Sequence, residues 1–150
     1  MVGPAGRMDK RIFFLISKAR HNLHKRMERI MEAAIGVPVT QVVALLALES
    51  RDGSQLKGLG RFLGLNKSGV TGLVKRMEDN RLVRKQPDAL DGRATRVFMT
   101  AKGKRVLQQA KPIIKIQNTE LVRGFSDSEI AVVLRFLNHL CDNGELEPAN

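Results

Sequence analysis

The chain has 150 residues, the size of one ordinary domain, and is 43% hydrophobic with no Trp and no Tyr, so its core must be built from Leu, Val, Ile, Ala and Met. Its formal net charge of +11 is concentrated, because residues 51–105 hold 14 basic and 5 acidic side chains whereas residues 106–150 hold 4 and 6. Such a field favours a polyanionic partner, nucleic acid ahead of an anionic membrane surface, while the lone Cys141 excludes an intramolecular disulfide and the longest purely apolar run, Val42–Leu48, is too short to span a bilayer.

Residues 1–9 contain Gly and Pro without an apolar signal core and are expected to be a disordered N-terminal segment. From Lys10 to Ala34 there is no Pro or Gly, and Ile12, Ile16, Ala19, Leu23, Met27, Ile30 and Ala34 recur at spacings of four or three. That periodicity predicts one long helix. Phe13, Phe14, Leu15 and Met31 widen its apolar stripe, and a helix apolar on more than one side needs a partner chain or a second packing layer. Gly36 and Pro38 end it. Thr40 is the expected cap of a buried helix over Gln41–Glu49, followed by a turn over Ser50–Ser54.

A short helix is predicted over Gln55–Leu63, then a tight turn at Gly64, then a helix over residues 66–79 with Asn66 as N-cap. In that helix Val70, Leu73, Val74 and Met77 point inward, leaving Lys67, Ser68, Thr71, Lys75 and Arg76 outward. Asn80 is expected to end it in the left-handed conformation. The period then changes: strands over 82–86 and 96–100 flank a charged loop, forming a hairpin or wing. Thr100 is placed to cap a helix over 101–122, in which Gly103 is a blemish and Pro112 predicts a kink or break. Ser126 and Glu129 form a capping box for a last helix with Ile130, Val133, Leu134, Leu137 and Leu140 on one face. Residues 143–150 are expected to fray.

The fold class is therefore mainly α with a small β-wing: a winged helix-turn-helix core over 40–100 flanked by helical segments over 10–35 and 101–142, in one domain of residues 10–142. A helix-turn-helix carries a helix narrow enough for the major groove, with basic residues on flanking elements to grip phosphates. The candidate DNA contacts are Asn66, Lys67, Ser68, Thr71, Lys75 and Arg76 on the helix, and Arg84, Lys85, Arg93 and Arg96 on the wing and its base.

The run Leu59-Gly60-Arg61-Phe62-Leu63-Gly64-Leu65-Asn66, the segments Val70-Thr71 to Met77-Glu78 and Leu82-Val83-Arg84, and Asp91-Gly92-Arg93 leading to Met99-Thr100-Ala101-Lys102-Gly103 together resemble the MarR family of transcription regulators. Met99 stands where the family's closing motif has Leu. The resemblance covers roughly Lys10 to Cys141. It implies that residues 10–142 form a regulator domain, that helix 66–79 is the recognition helix, that Arg93 is the wing-tip arginine entering the minor groove with Asp91 as its orienting partner, and that the helical segments over 10–35 and 101–142 are the dimerisation elements of a homodimer. Two departures stand out: Gly60 occupies a site where the family usually has Ala, and Arg81 one where it often has Gly.

No catalytic set, phosphate-cradling Gly-rich motif or metal-ligand cluster is visible, so no enzyme activity, cofactor or metal is expected. His21 and His24 lie one turn apart with only His139 beyond them; with Arg20 they are candidates for contacting a small-molecule effector. Cys141 reads as a packing residue. The expected function is sequence-specific binding of double-stranded DNA at a pseudo-palindromic operator, by a cytoplasmic, nucleoid-associated protein without membrane contact, and the resemblance implies a repressor released by a small anionic or aromatic ligand. The alternatives are an architectural or counter-silencing DNA binder without a ligand response, and a module whose winged helix docks an acidic protein.

Overall fold

The computed structural model describes residues 8–142. Residues 1–7 of the expected N-terminal disorder, and the expected fraying of 143–150, lie outside that range; within it, Asp9 is tied to Arg11 by a 2.7 Å ion pair. Six helices and a three-stranded antiparallel sheet follow one another as α1 (Ile12–Ile35), α2 (Val39–Glu49), β1 (Ser54–Gln55), α3 (Leu56–Phe62), α4 (Lys67–Asp79), β2 (Val83–Pro87), β3 (Thr95–Met99), α5 (Ala101–Leu121) and α6 (Asp127–Asp142). The chain divides into two compact units at the Lys111–Pro112 bond.

In the first unit α1 ends as the sequence requires. Gly36 takes the left-handed conformation (φ 65°), and its N–H donates to the carbonyls of Met31 and Glu32. Helix α2 then leaves α1 at 86°. Its start corrects one expectation. The helix begins at Val39, so Thr40 already lies inside it, and the first N–H is capped from another helix: Val39 N–H donates to the Glu28 carboxylate at 2.9 Å. A carboxylate at a helix N-terminus satisfies an orphan donor and complements the macrodipole. Helix α2 is buried through Val42, Ala44, Leu45 and Leu48, and around it gather Leu59 of α3, Leu73, Val74 and Met77 of α4, Val97 of β3, and Leu107 and Ala110 of α5. The four inward positions read for the recognition helix are all buried.

The sheet order is β1-β3-β2, with Val83 opposite Met99 and Lys85 opposite Val97. Strand β1 was not foreseen. Its two residues pair Ser54 with Val97, and two residues carry no period-2 signal. The wing strands begin one residue after the predicted start and end one before the predicted finish respectively, because Leu82 and Thr100 are taken by the turn that leaves α4.

That turn corrects a second expectation. Asn80 is not left-handed (φ −82°); Arg81 is (φ 59°). Leu82 N–H donates to the Met77 carbonyl at 2.9 Å and Arg81 N–H to that of Glu78 at 2.8 Å, the paired bonds of a Schellman cap in which Gly is the usual left-handed residue. Here a Cβ-bearing side chain occupies that position, at a cost of about 1 kcal/mol. Arg81→Gly is therefore expected to raise stability by up to about 1 kcal/mol, less the entropy Gly adds to the unfolded chain. Denaturant unfolding checks it: a midpoint below the wild type's would show the position is not strained.

Asn80 serves instead as a link. Its Nδ2 donates to Gln41 Oε1, on a side chain buried in α2, at 2.9 Å, and its carbonyl accepts from Lys102 Nζ of α5 at 2.9 Å. Thr100 caps α5 as expected, accepting from Gly103 N–H at 3.0 Å, while its hydroxyl donates to the Arg81 carbonyl at 2.6 Å and its N–H to the Leu82 carbonyl at 3.0 Å. Gly103, read as a blemish, is a requirement: a Cβ there would lie 2.1 Å from the Leu82 carbonyl oxygen. Gly60 is explained the same way, since its Cβ would come within 2.9 Å of Val70 Cγ1 on α4. The first turns of α5, grouped with the dimerisation elements in the sequence reading, bury Gly103, Val106, Leu107 and Ala110. Pro112 lies inside α5 without ending it.

In the second unit the capping box forms as read. Ser126 N–H donates to Glu129 Oε2 at 2.8 Å and Glu129 N–H to Ser126 Oγ at 3.2 Å. Helix α6 buries none of its side chains. Val132, Val133, Leu134, Phe136 and Leu137 stay exposed, and Cys141, expected to pack, is exposed as well.

Candidate nucleic-acid interface

Helices α3 and α4, joined through Gly64 (φ 68°), make the helix-turn-helix. Asn66 caps α4 by accepting from Gly69 N–H at 2.8 Å. That bond fixes where the helix begins, and so which side chains its first turn presents. Lys67, Ser68, Thr71, Lys75 and Arg76 are all exposed, as their spacing predicted. Their polar atoms are not equally available. The Ser68 hydroxyl faces the Asn66 side-chain oxygen at 3.0 Å and the Thr71 hydroxyl donates to the Lys67 carbonyl at 2.7 Å. Lys75 stands 4.0 Å from Asp79, an exposed pair worth less than about 1 kcal/mol.

The wing is built around an acid that the sequence reading passed over. Asp88 is 5% exposed. Its carboxylate accepts from Leu90 N–H (2.9 Å), Gln55 Nε2 at the start of α3 (3.0 Å) and Arg96 Nε (2.9 Å). Arg96 also donates to the Gly53 carbonyl at 2.8 Å. The Leu90 N–H most of all, with the Gln55 amide, holds the Asp88 carboxyl down at about 2. Because the folded protein prefers the ionised form, its contribution to stability is complete above the ordinary carboxylate value of 3.8 and is lost as pH falls from there through about 2. Asp88→Asn is expected to flatten the acid limb of a Tm-against-pH curve in that window. A variant that keeps the wild-type limb would remove Asp88 as its source.

Toward the tip, the Asp91 carboxylate accepts from the Arg93 backbone N–H at 3.0 Å, so Asp91 orients Arg93 through the main chain. The Arg93 side chain has no partner among the described residues. At the wing base Arg84 lies 4.6 Å over the Phe98 ring and donates to Gln86 Oε1 at 2.9 Å, and Lys85 pairs with Glu78 of α4 at 3.1 Å.

Between α3, the first turns of α4 and the wing lies a cleft of about 680 Å³. Four cations line it, Lys57, Arg61, Lys67 and Arg93, against one acid, Asp91. Lys57 and Arg61 were missed. Their four-residue spacing, on the opposite side of α3 from the buried Leu59, was the signal that marks them. Arg20, His21 and His24 lie exposed along α1 and do not line this cleft. Among the described residues no single helix is long and apolar enough to cross a membrane.

A helix-turn-helix with a three-stranded wing and a cationic cleft between them defines a winged-helix DNA-binding protein. The MarR family model matches residues 35–94. The chain is 33% identical over 141 residues, 91% of its length and 79% of the relative's, to the transcriptional activatory protein BadR of Rhodopseudomonas palustris. Its fold is similar to that of PcaV from Streptomyces coelicolor, solved with its natural ligand (TM-score 0.76, 21% identity, 93% of this chain and 99% of that one). It is also similar to that of MepR from S. aureus, solved with DNA (TM-score 0.80, 18% identity, 91% and 100%). The chain belongs to the MarR family of DNA-binding transcriptional regulators.

Proposed function

We propose that the protein works as a homodimer on a pseudo-palindromic operator, placing two copies of α4 in successive major grooves about 10 base pairs apart, and that a small anionic or aromatic ligand releases it, so that it represses where the operator overlaps a promoter. The observation that carries the DNA-reading part is the cleft: four cations against one acid, beside a helix whose outward face is polar. Lys57, Arg61, Lys67 and Lys75 grip phosphates. Arg93 enters the minor groove, whose narrow A·T-rich stretches attract arginine. Arg96 holds the wing through Asp88, while Arg84 and Lys85 support its base and exchange their exposed partners for phosphate.

Dimerisation is supported by unspent apolar surface on the outer helices: Ile12 and Phe13 of α1 are 61% and 85% exposed, and α6 exposes Val132 and Leu134. Surfaces of this kind mark interfaces. The effector step is supported by the PcaV complex with its natural ligand, and Arg20, His21 and His24 are the side chains offered for it. BadR is by name an activatory protein, so activation is the competing sign of regulation, and a reporter driven from the operator-bearing promoter distinguishes the two.

Competition binding tests the reading. The dimer is expected to prefer an operator selected from random duplexes by roughly 10³-fold or more over bulk DNA, and aromatic acids are expected to lower that affinity. Steep salt dependence without sequence preference would favour the architectural alternative, and indifference to aromatic acids would remove the ligand step. A monomer in sedimentation at micromolar concentration would remove the paired geometry.

A further inference from the structure

The outward face of α4 is poor in side chains able to read a base. The hydroxyl protons of Ser68 and Thr71 are directed to Asn66 Oδ1 and the Lys67 carbonyl, leaving lone pairs and a methyl group. Lysine is a point charge on a flexible stem, suited to phosphate. One residue differs. Arg76 is exposed and has no carboxylate partner among the described residues. Its guanidinium leans back along the helix, as helical side chains do, so that Nη1 lies 3.3 Å from where a Cβ of Gly72 would stand. Gly72, four residues earlier on the same helical row, lies between Ser68 and Arg76 around the helix. The guanidinium is thus parked over the middle of the reading face, in a dip that exists because residue 72 has no side chain.

Glycine in a helix interior is destabilising relative to alanine. Gly60 and Gly103 are required by neighbours in the core, but at Gly72 only Arg76 stands within reach. The dip has a use if the guanidinium needs it. Arginine is the side chain that matches the O6 and N7 acceptors of guanine bidentately in the major groove.

We propose that Arg76 is the principal base-reading residue, that it recognises one guanine in each half-site, and that Gly72 is the berth that aims it. This rests on the proposed sequence-specific reading of DNA by α4. Selection from a randomised duplex library tests it, with wild type, R76A, R76K and G72A. Wild type is expected to enrich a symmetric site with one fixed guanine per half. R76A and R76K lose preference for that base by about ten- to a hundred-fold and keep the other positions. Replacing that guanine with 7-deazaguanine, which lacks the N7 acceptor, weakens wild type but not R76A. G72A, better suited to a helix, unfolds later yet reads the guanine less well. A consensus unchanged in R76A, with affinity lost evenly across sequences and the salt slope reduced by about 1, would make Arg76 a phosphate contact and overturn the proposal. A library from which wild type enriches no site would sink the sequence-specific function together with it.

Discussion

Gly103→Ala is expected to destabilise the protein by about 3 kcal/mol or more, lowering Tm by roughly 10 °C. The added methyl would stand 2.1 Å from the Leu82 carbonyl oxygen, on the order of an ångström inside the roughly 3.3 Å of a close C···O approach. The obstacle is backbone and cannot turn aside. That carbonyl already accepts from Thr100 N–H at 3.0 Å, and the neighbouring Arg81 carbonyl accepts from the Thr100 hydroxyl at 2.6 Å. Moving the turn to make room therefore breaks the joint between α4 and α5. Gly58→Ala is the matched control. Nothing lies within 4 Å of its added Cβ, so the same chemical change in a helix should stabilise by about 0.5–1 kcal/mol. If both variants melt within a degree or two of wild type, α5 does not approach Leu82 as closely as described.

Arg93→Ala is expected to weaken operator binding by about 1–3 kcal/mol per wing, which for two wings compounds to roughly thirty-fold up to ten-thousand-fold. Its side chain is uncommitted, while the backbone behind it is fixed: Arg93 N–H on Asp91, and Asp88 held by Gln55, Leu90 and Arg96. The arginine thus projects from an ordered loop, so binding costs the rotamer freedom of its side chain but no ordering of the backbone behind it. Because its side chain is exposed and makes no hydrogen bond or ion pair among the described residues, folding stability should change by less than about 0.5 kcal/mol. Fluorescence anisotropy with operator duplexes checks the loss. The loss should shrink when A·T pairs flanking the half-sites are replaced by G·C, since the narrow groove is what the arginine senses. Equal losses on both duplexes would place Arg93 on phosphate rather than in the minor groove.

The helices of this fold were legible wherever burial repeats with the helical period. Val70, Leu73, Val74 and Met77 define the buried side of α4, and therefore its reading side, without any tertiary information. Caps that bond within their own turn, Asn66 and the Ser126–Glu129 pair, were equally plain. What escaped was set by partners distant in sequence. Glu28 caps a helix that begins eleven residues later, which made Thr40 look necessary. Gly60 and Gly103 looked like weaknesses because their reasons sit on Val70 and Leu82. Asp88 looked like one more polar loop residue because the Gln55 and Arg96 that bury it belong to other elements. The left-handed residue was assigned to Asn80 on intrinsic preference, whereas Asn80 is committed to Gln41 and Lys102, which leaves the unusual angle to Arg81.

The far end of α4 is fastened from two sides, by Gln41 through Asn80 and by the opening turn of α5 at three successive carbonyls, those of Asn80, Arg81 and Leu82. A helix clamped at its tail cannot slide along its axis or roll to offer a new face unless that whole joint is rebuilt. On the proposed reading of DNA by α4, new operators are learned by exchanging letters on a fixed typeface: substitutions at positions 67, 68, 71, 72, 75 and 76 alter what is read, while the depth and angle at which the helix is offered are inherited unchanged.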